Sequence, residues 1–301
     1  TAQPAVSADR ESALLASVPT GLLINGEWRD AISGKTFDVE DPATGKVLLS
    51  LADAGAEDGK AALDAAAAQT NRLFDSVTVL DEAGSTQDEA RRLCEGRGGL
   101  IVAAARQTAG RGTQGRAWAD TASKGLAITF VLDAQSRDQG SVSLAAGVAA
   151  AAGCRIAAVD GPHDRSIGLK WPNDIVCEHD GALRKLGGVL IEAHEKVLLV
   201  GIGVNVSQDS ENFPAALRGR AISLKQLQCQ TTIAELAAAV TSALSNALSL
   251  GNPDLVLRWN SLDKLTGRTA RFIHDAIVYD GVVETIDPLV ELKIRAANGV
   301  L

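Results

Sequence analysis

Five short runs hold the residues of this chain that could do chemistry. GRGTQGR, from Gly110 to Arg116, sets two arginines among three glycines. Glycines let a backbone approach a ligand closely, and guanidinium forks donate to phosphate or carboxylate. The loop therefore reads either as the cradle of an acyl phosphate or nucleotide, or as a surface loop with solvated arginines. In LKWPND, Pro172 ends regular strand pairing and presents Lys170, Asn173 and Asp174 at the tip. Strand-end solvation and an Asx-type turn account for the same residues. In RKLGG, Arg184 and Lys185 precede Gly187 and Gly188, a pair that clears space beside the backbone. Asn205 interrupts the apolar run VLLVGIGVNV. A buried amide without partners costs about 1–3 kcal/mol, so Asn205 either caps the strand end or meets a ligand. Upstream, Ser85 and Thr86 stand where a helix should start, with Asp88 and Glu89 three residues later, the pattern of a capping box.

These runs need elements to position them. VTVLDEAG, LIVAAARQ, GLAITFVLD, IGLKWPNDIV, KLGGVLIEA and KVLLVGIGVNV read as strands. STQDEARRLCEG, VSLAAGVAAAAGCRIA and TTIAELAAAVTSALSNALSL read as helices, which gives an α/β texture from about residue 72. From about Leu257 the chain breaks into short strand-like runs suited to a small β-barrel. Gly110, Gly112 and Gly115 also spell G-x-G-x-x-G. A dinucleotide loop must open a helix, however, and RAWADTASKG has no apolar period of 3.6 residues. The nearby Asp133 has no helix to give it a ribose-binding role, and the dinucleotide reading fails.

Composition sets outer limits. The 301 residues allow roughly two domains. A net charge of −8 argues against broad binding to a nucleic-acid backbone. No run of about 18 apolar residues stands out, and the first residues lack a basic segment followed by an apolar one, so neither a membrane span nor a secretory signal is expected. Cys94, Cys154, Cys177 and Cys229 are scattered, which suggests reduced, packed thiols in a cytoplasmic protein. The four histidines show no metal-ligand spacing and read as structural or surface residues. Through Asp75 the chain carries 6 Lys/Arg against 12 Asp/Glu, so much of the excess acid lies there. LLINGEWRDA and FDVEDPATGKVLLSLADA in this block read as hairpins, and AEDGKAALDAAAAQ as a short helix.

Two resemblances follow. LINGEWRDAISGKTFDVEDPATGKVLLSLADAG resembles the start of NAD-dependent aldehyde dehydrogenases of the succinate-semialdehyde type. It covers about 50 residues, and none of the four cysteines has the setting of that family's nucleophile, so no dehydrogenase activity is expected. From about residue 74 the chain resembles biotin protein ligases. The marks are Ser85–Thr86, QTAGRGTQGRAW (Gln107–Trp118), KWPND (Lys170–Asp174), RKLGG (Arg184–Gly188) and GIGVNV (Gly201–Val206), in family order. The LDKLTGR…DGVVETID stretch resembles that family's SH3-like barrel.

The ligase resemblance implies a mixed-sheet α/β catalytic domain over residues 72–254 with flanking helices. An SH3-like domain (255–301) follows it; the hairpin-rich segment before it (1–71) resembles the dehydrogenase fragment, carries none of the ligase motifs and is expected to be dispensable for catalysis. It implies ATP-dependent formation of biotinyl-5′-AMP and transfer to a lysine of a biotin carboxyl carrier domain of an acyl-CoA carboxylase. Ser85, Thr86, Gln107, Gly110, Arg111, Gly112, Lys185, Gly187 and Gly188 would bind biotin. Thr113, Arg116, Trp118, Lys170, Asn173 and Asn205 would bind ATP. Lys185, Arg111, Lys170 and Asp174 would carry the chemistry, with Asn173 and Asp174 near the Mg²⁺ that accompanies ATP. Thr113 stands where the resemblance expects a second loop arginine, a departure that weakens the hold on the intermediate. DNA binding is not expected, since the acidic amino-terminal block lacks a basic recognition helix. The resemblance leaves room for a homodimer. A lipoate-type ligase and an inactive biotin- or nucleotide-binding module are the alternatives.

Overall fold

The structure, a computed structural model, describes residues 8–70, 73–118, 124–135, 137–158, 166–274, 277–296 and 299–300. It opens with helix α1 (Ala8–Ala16), followed by the hairpin of β1 (Leu22–Ile24) and β2 (Glu27–Arg29). The turn residues Asn25 and Gly26 have φ of 54° and 81°, the left-handed pair that a two-residue hairpin turn needs. A second hairpin pairs β3 (Thr36–Glu40) with β4 (Val47–Ala52), and helix α2 (Ala56–Ala68) follows. Buried Asp58 of α2 accepts the Ile32 and Gly55 amides at 2.9 Å each, tying the hairpins to that helix.

The central unit runs β5 (Ser76–Ala83), α3 (Thr86–Leu93), β6 (Leu100–Gln107), β7 (Gly125–Asp133) and α4 (Gln139–Ala157). It continues with β8 (Ile167–Lys170), β9 (Asp174–His179), β10 (Ala182–His194), β11 (Val197–Asn205), α5 (Ile233–Leu248) and α6 (Asn252–Leu262). The sheet order is β5-β6-β7-β11-β10-β9-β8. Only β5 and β6 are parallel; the other neighbours are antiparallel, which makes a mixed sheet. A four-stranded antiparallel sheet of β12 (Thr269–His274), β13 (Ile277–Asp287), β14 (Glu291–Ala296) and β15 (Gly299–Val300) ends the chain as a small β unit.

Strand alternation sets what each sheet face does. Leu126, Ile128, Phe130 and Leu132 of β7 and Leu198, Val200, Ile202 and Val204 of β11 join the main core under α4 and α5. On the other face, Val131, Val197 and Leu199 pack beneath α3 with Ala90 and Cys94. Further along that second face come Ala127, Thr129, Gly201 and Gly203, residues too small to fill it.

Three sequence expectations meet differences. The boundary near residue 71 separates the motifs but not the packing. Leu63 and Ala67 of α2, and Phe74 just before β5, belong to the main core cluster with Leu236, Ala237 and Val240 of α5. The Phe74 ring lies 5.3 Å from that of Phe130. The alanine-rich helix is therefore an added layer on α5. The boundary at residue 255 falls inside α6, whose Leu255, Trp259 and Leu262 join the same cluster. Asn252 and Pro253 start this helix, and its mixed composition hid its period. Finally, α4, which the sequence marks as an apolar helix, is 19 residues long and apolar enough to cross a membrane by length and composition, against the expectation that no run of about 18 apolar residues is present. Its residues are mostly buried against the sheet and its neighbouring helices, as expected of a core helix.

Leu63→Ala should therefore lower stability by about 2–5 kcal/mol, the usual cost of emptying a buried leucine site. Urea unfolding reads it; a loss below about 0.5 kcal/mol, the range of ordinary surface substitutions, would mean that α2 is an appendage.

Candidate ligand-binding site

The uncovered part of the second sheet face is the floor of a cavity of about 540 Å³. Ala127, Gly201 and Gly203 supply that floor, and the start of α3, the glycine loop, the β8–β9 turn, β10 and the segment after β11 supply the walls. An indole rests on the floor. A Cβ added at Gly203 would come within 2.9 Å of the Trp118 ring, so the close approach requires glycine there.

At one end a polar chain is buried. Ser85 caps α3, its Oγ accepting the Gln87 amide at 3.3 Å. The capping box with Asp88 or Glu89 does not form; Asp88 and Glu89 turn instead to Arg111 and Arg92. Thr86 donates through its backbone (2.8 Å) and its hydroxyl (3.1 Å) to Gln107 Oε1, and accepts from the Thr129 hydroxyl at 2.9 Å. A chain of hydroxyl and amide groups at the base of a cavity suits a small, neutral, multiply hydrogen-bonding ring.

The glycine loop is a tight excursion. Gly112 N donates to Arg116 O (2.7 Å), Trp118 N donates to Gly110 O (2.8 Å), and Arg111 bridges to Ala117. A three-residue 3-10 turn, Thr113–Gly115, stands where a dinucleotide loop would start its helix. Arg111 reaches Asp88 at 2.5 Å and Glu192 at 3.1 Å, and Arg91 bonds the same two carboxylates, closing a ring of four charges. The Asp88 hydrogen bond, first of several causes, raises the Arg111 pKa above its ordinary value. Arg116 leans on Thr113, donating to its carbonyl (3.3 Å) and hydroxyl (3.4 Å).

A second charged group gathers on β10. The strand bulges between Lys185 and Gly187, which re-aims the lysine. Lys185 N donates to Arg220 O (2.8 Å), and Lys185 O accepts from Ile222 N (2.9 Å) and from Asn205 Nδ2 (3.3 Å). The ammonium lies 2.5 Å from Asp174 Oδ1 and 5.9 Å from the Trp118 ring centroid. With side chains 41% and 26% exposed, this pair is worth no more than about 1 kcal/mol, so a ligand anion can displace the carboxylate cheaply. Asn173 Nδ2 donates to Val189 O at 2.8 Å and locks the β8–β9 turn onto β10. The Asn205 amide also donates to Ile222 O at 3.0 Å, so this buried side chain fastens the strand end as well as lining the cavity.

Of the residues singled out in the sequence, Ser85, Thr86, Gln107, Arg111, Gly112, Thr113, Arg116, Trp118, Lys170, Asn173, Asp174, Lys185, Gly188 and Asn205 line this one cavity. Gly110 and Gly187 do not. A Cβ at Gly110 would sit 2.9 Å from Gln107 Nε2 and Trp118 O, and one at Gly187 would sit 2.6 Å from Gly203 O. Both glycines allow close packing behind the site. Gln87, Phe213, Leu217 and Arg220 also line it and were missed, as was Glu192, which pairs with Arg111. Gln87 looked like helix interior, and Glu192 like the outward residue of a strand. Arg218-Gly219-Arg220 repeats the glycine–arginine alternation of the loop, a signal that could have flagged Arg220.

The chemistry open to the site is binding and charge stabilisation. The four cysteines are buried, and burial pushes Cys154 to about 12 and Cys229 to about 11. Neither is an activated thiolate. Among the described residues no cluster of three or more His, Cys, Asp or Glu could hold a metal ion. Ellman's reagent at pH 8 should leave the folded chain unmodified and react with all four thiols in denaturant; a fast thiol in the folded chain would contradict this.

Comparison with known proteins agrees with the geometry. Residues 78–209 match the model of the biotin/lipoate A/B protein ligase family. The chain is 34% identical over 167 residues to the bifunctional ligase/repressor BirA of Bacillus spizizenii, covering 52% of this chain and 49% of that protein. It is 35% identical over 141 residues to the biotin–[acetyl-CoA-carboxylase] ligase of Mycobacterium tuberculosis, covering 45% and 51%. The chain thus spans about half the length of the curated relatives it matches. Its fold is that of the Aquifex aeolicus biotin protein ligase solved with biotin and ATP, with a TM-score of 0.65 and 24% identity over 76% of this chain and 95% of that one. A separate match of 44 residues, 52% identical, aligns with only 9% of the Escherichia coli succinate-semialdehyde dehydrogenase GabD, a fragment too short to bring an activity with it. The cavity-bearing part of this chain, residues 78–209, is similar to the biotin/lipoate A/B protein ligase family.

Proposed function

We propose that this chain is an ATP-dependent biotin protein ligase that makes biotinyl-5′-AMP and passes the biotinyl group to a lysine of a biotin carboxyl carrier domain of an acyl-CoA carboxylase. The observation that carries the reading is the placement of Lys185. Its backbone is fastened on both sides, and its ammonium stands over Trp118 in the same cavity as the Thr86–Gln107 chain. The Mycobacterium tuberculosis relative bears the name of that activity.

Ser85, Thr86 and Gln107 hold the ureido ring of biotin, which offers two N–H donors and one carbonyl. The biotin carboxylate then lies among the cations. One of its oxygens attacks the α-phosphorus of MgATP as the bond to pyrophosphate breaks, and pyrophosphate leaves. Lys185 exchanges Asp174 for the charge that grows on the phosphoryl oxygens, which makes its stabilisation specific to the transition state. Lys170, Arg111 and Arg116 add positive potential, and Trp118 and Asn205 border the nucleotide. Mg²⁺ would come with ATP and offset phosphate charge, and Asn173 and Asp174 would help to hold it, in keeping with magnesium's use of one or two carboxylates plus substrate phosphates. In the second step a carrier lysine amine attacks the acyl carbon, the bond to AMP breaks, and the amine proton passes to Asp174 or solvent. The rest is positioning: two reactants held at near-attack distance. The β12–β15 unit is the counterpart of the SH3-like barrel, and the cytoplasm, where ATP and carboxylases meet, is the place of action.

The purified chain should attach labelled biotin to a carrier domain in the presence of MgATP. Failure to do so, while an established ligase labels the same preparation, would overturn the reading, and preference for lipoate in competition would redirect it. Lys185→Ala should lower adenylate formation by about 10²–10³-fold, the usual effect of removing one transition-state donor. Pyrophosphate release at the wild-type rate from a folded variant would take Lys185 out of the chemistry.

A further inference from the structure

The cations lining the cavity differ in what they already hold. Arg111 is engaged by Asp88 and Glu192, Lys185 by Asp174, and Arg116 donates to Thr113. Lys170 and Arg220 line the same cavity and meet no acceptor with their charged heads among the described residues. A nucleotide triphosphate brings about four negative charges to a site whose other cations are already partly neutralised.

Arg220 is exposed at its head and fixed at its root. Its amide donates to Leu217 O at 3.0 Å, and its carbonyl accepts from Lys185 N at 2.8 Å. Two residues later the Asn205 amide and the Lys185 carbonyl hold Ile222. Gly219, at φ 75°, makes the turn that delivers the arginine to this position. The same backbone strip thus positions Lys185 and roots a second cation beside it. A guanidinium there can grip a phosphate through two parallel donors, which an ammonium cannot. In the glycine loop, by contrast, Thr113 contributes a hydroxyl that Arg116 already uses.

We propose that Arg220 is an anion-binding residue of this site that grips the phosphate chain of the nucleotide. It supplies from the segment after β11 a positive charge that Thr113 does not supply from the loop. The identity of the anion rests on the ligase reading; the assignment of the cation rests on the placement of Arg220.

The test compares wild type, Arg220→Ala and Arg220→Lys as full chains, each checked for folding by circular dichroism. Binding of MgATP, inorganic pyrophosphate and biotin is measured separately by calorimetry. Arg220→Ala should weaken MgATP and pyrophosphate binding by roughly ten- to a hundredfold, the range for a hydrogen bond to a charged group, and leave biotin binding unchanged. Arg220→Lys should recover part of that loss. Equal MgATP affinity in wild type and Arg220→Ala overturns the assignment. So does a matched loss for biotin and MgATP, which marks a structural role. Pyrophosphate binding that depends on Arg220 in a chain that does not bind biotin keeps the assignment and sinks the ligase reading. Biotin and MgATP binding that ignores Arg220 does the reverse.

Discussion

Along β7 and β11, even-numbered residues are large and apolar, and the odd-numbered residues facing the other way shrink from Val131 and Leu199 to Ala127, Gly201 and Gly203. The rest of the molecule depends on this alternation. The large residues require two long helices to cover them, which α4 and α5 do. The small ones leave a shallow floor that the eight-residue α3 is too short to roof. A cavity forms because the far side of the sheet is packed tightly enough to hold the strands in place while the near side is underfilled. Trp118 comes close to that floor only because glycine removes the side chain it would strike.

Charge is arranged with similar economy. Each of the two cations most central to the site stands against a carboxylate, Arg111 against Asp88 and Glu192, and Lys185 against Asp174. All are partly exposed, so these pairs hold side chains in place without binding them strongly. An incoming anion meets pre-aimed donors whose present partners cost little to displace. These carboxylates offset part of the positive charge gathered around the cavity.

Much of this was legible in the sequence, because motifs with glycine, proline and charge at fixed offsets are local. Pro172 marked the turn that presents Asn173 and Asp174, and the Gly187–Gly188 pair marked a close approach of backbone beside Lys185. The strands announced themselves through short apolar runs, and α5 through its helical spacing. What stayed hidden was contact between distant segments. No local pattern says that Asp88 and Glu192, over 100 residues apart, will share Arg111 and Arg91. Nor does one reveal that Arg220 will root beside Lys185. The alanine-rich α2 was visible as a helix but not as part of the core, because alanine pays no side-chain entropy in a helix and gives little hint of a burial partner. Whether Asn205 fastens the strand end is likewise not written locally, since its partner Ile222 lies 17 residues on.

The union of α2 with α5 has a consequence for how such a chain changes over generations. A segment resembling part of an unrelated enzyme carries none of the ligand-facing residues, so it could be acquired without altering them. Once Leu63 and Ala67 shelter the outer face of α5, substitutions on that face that would be harmful in an uncovered helix become neutral, because water no longer reaches it. Each one that accumulates makes the shelter harder to discard. A passenger segment can in this way become structurally indispensable through the drift of its host, without ever having conferred an advantage in catalysis.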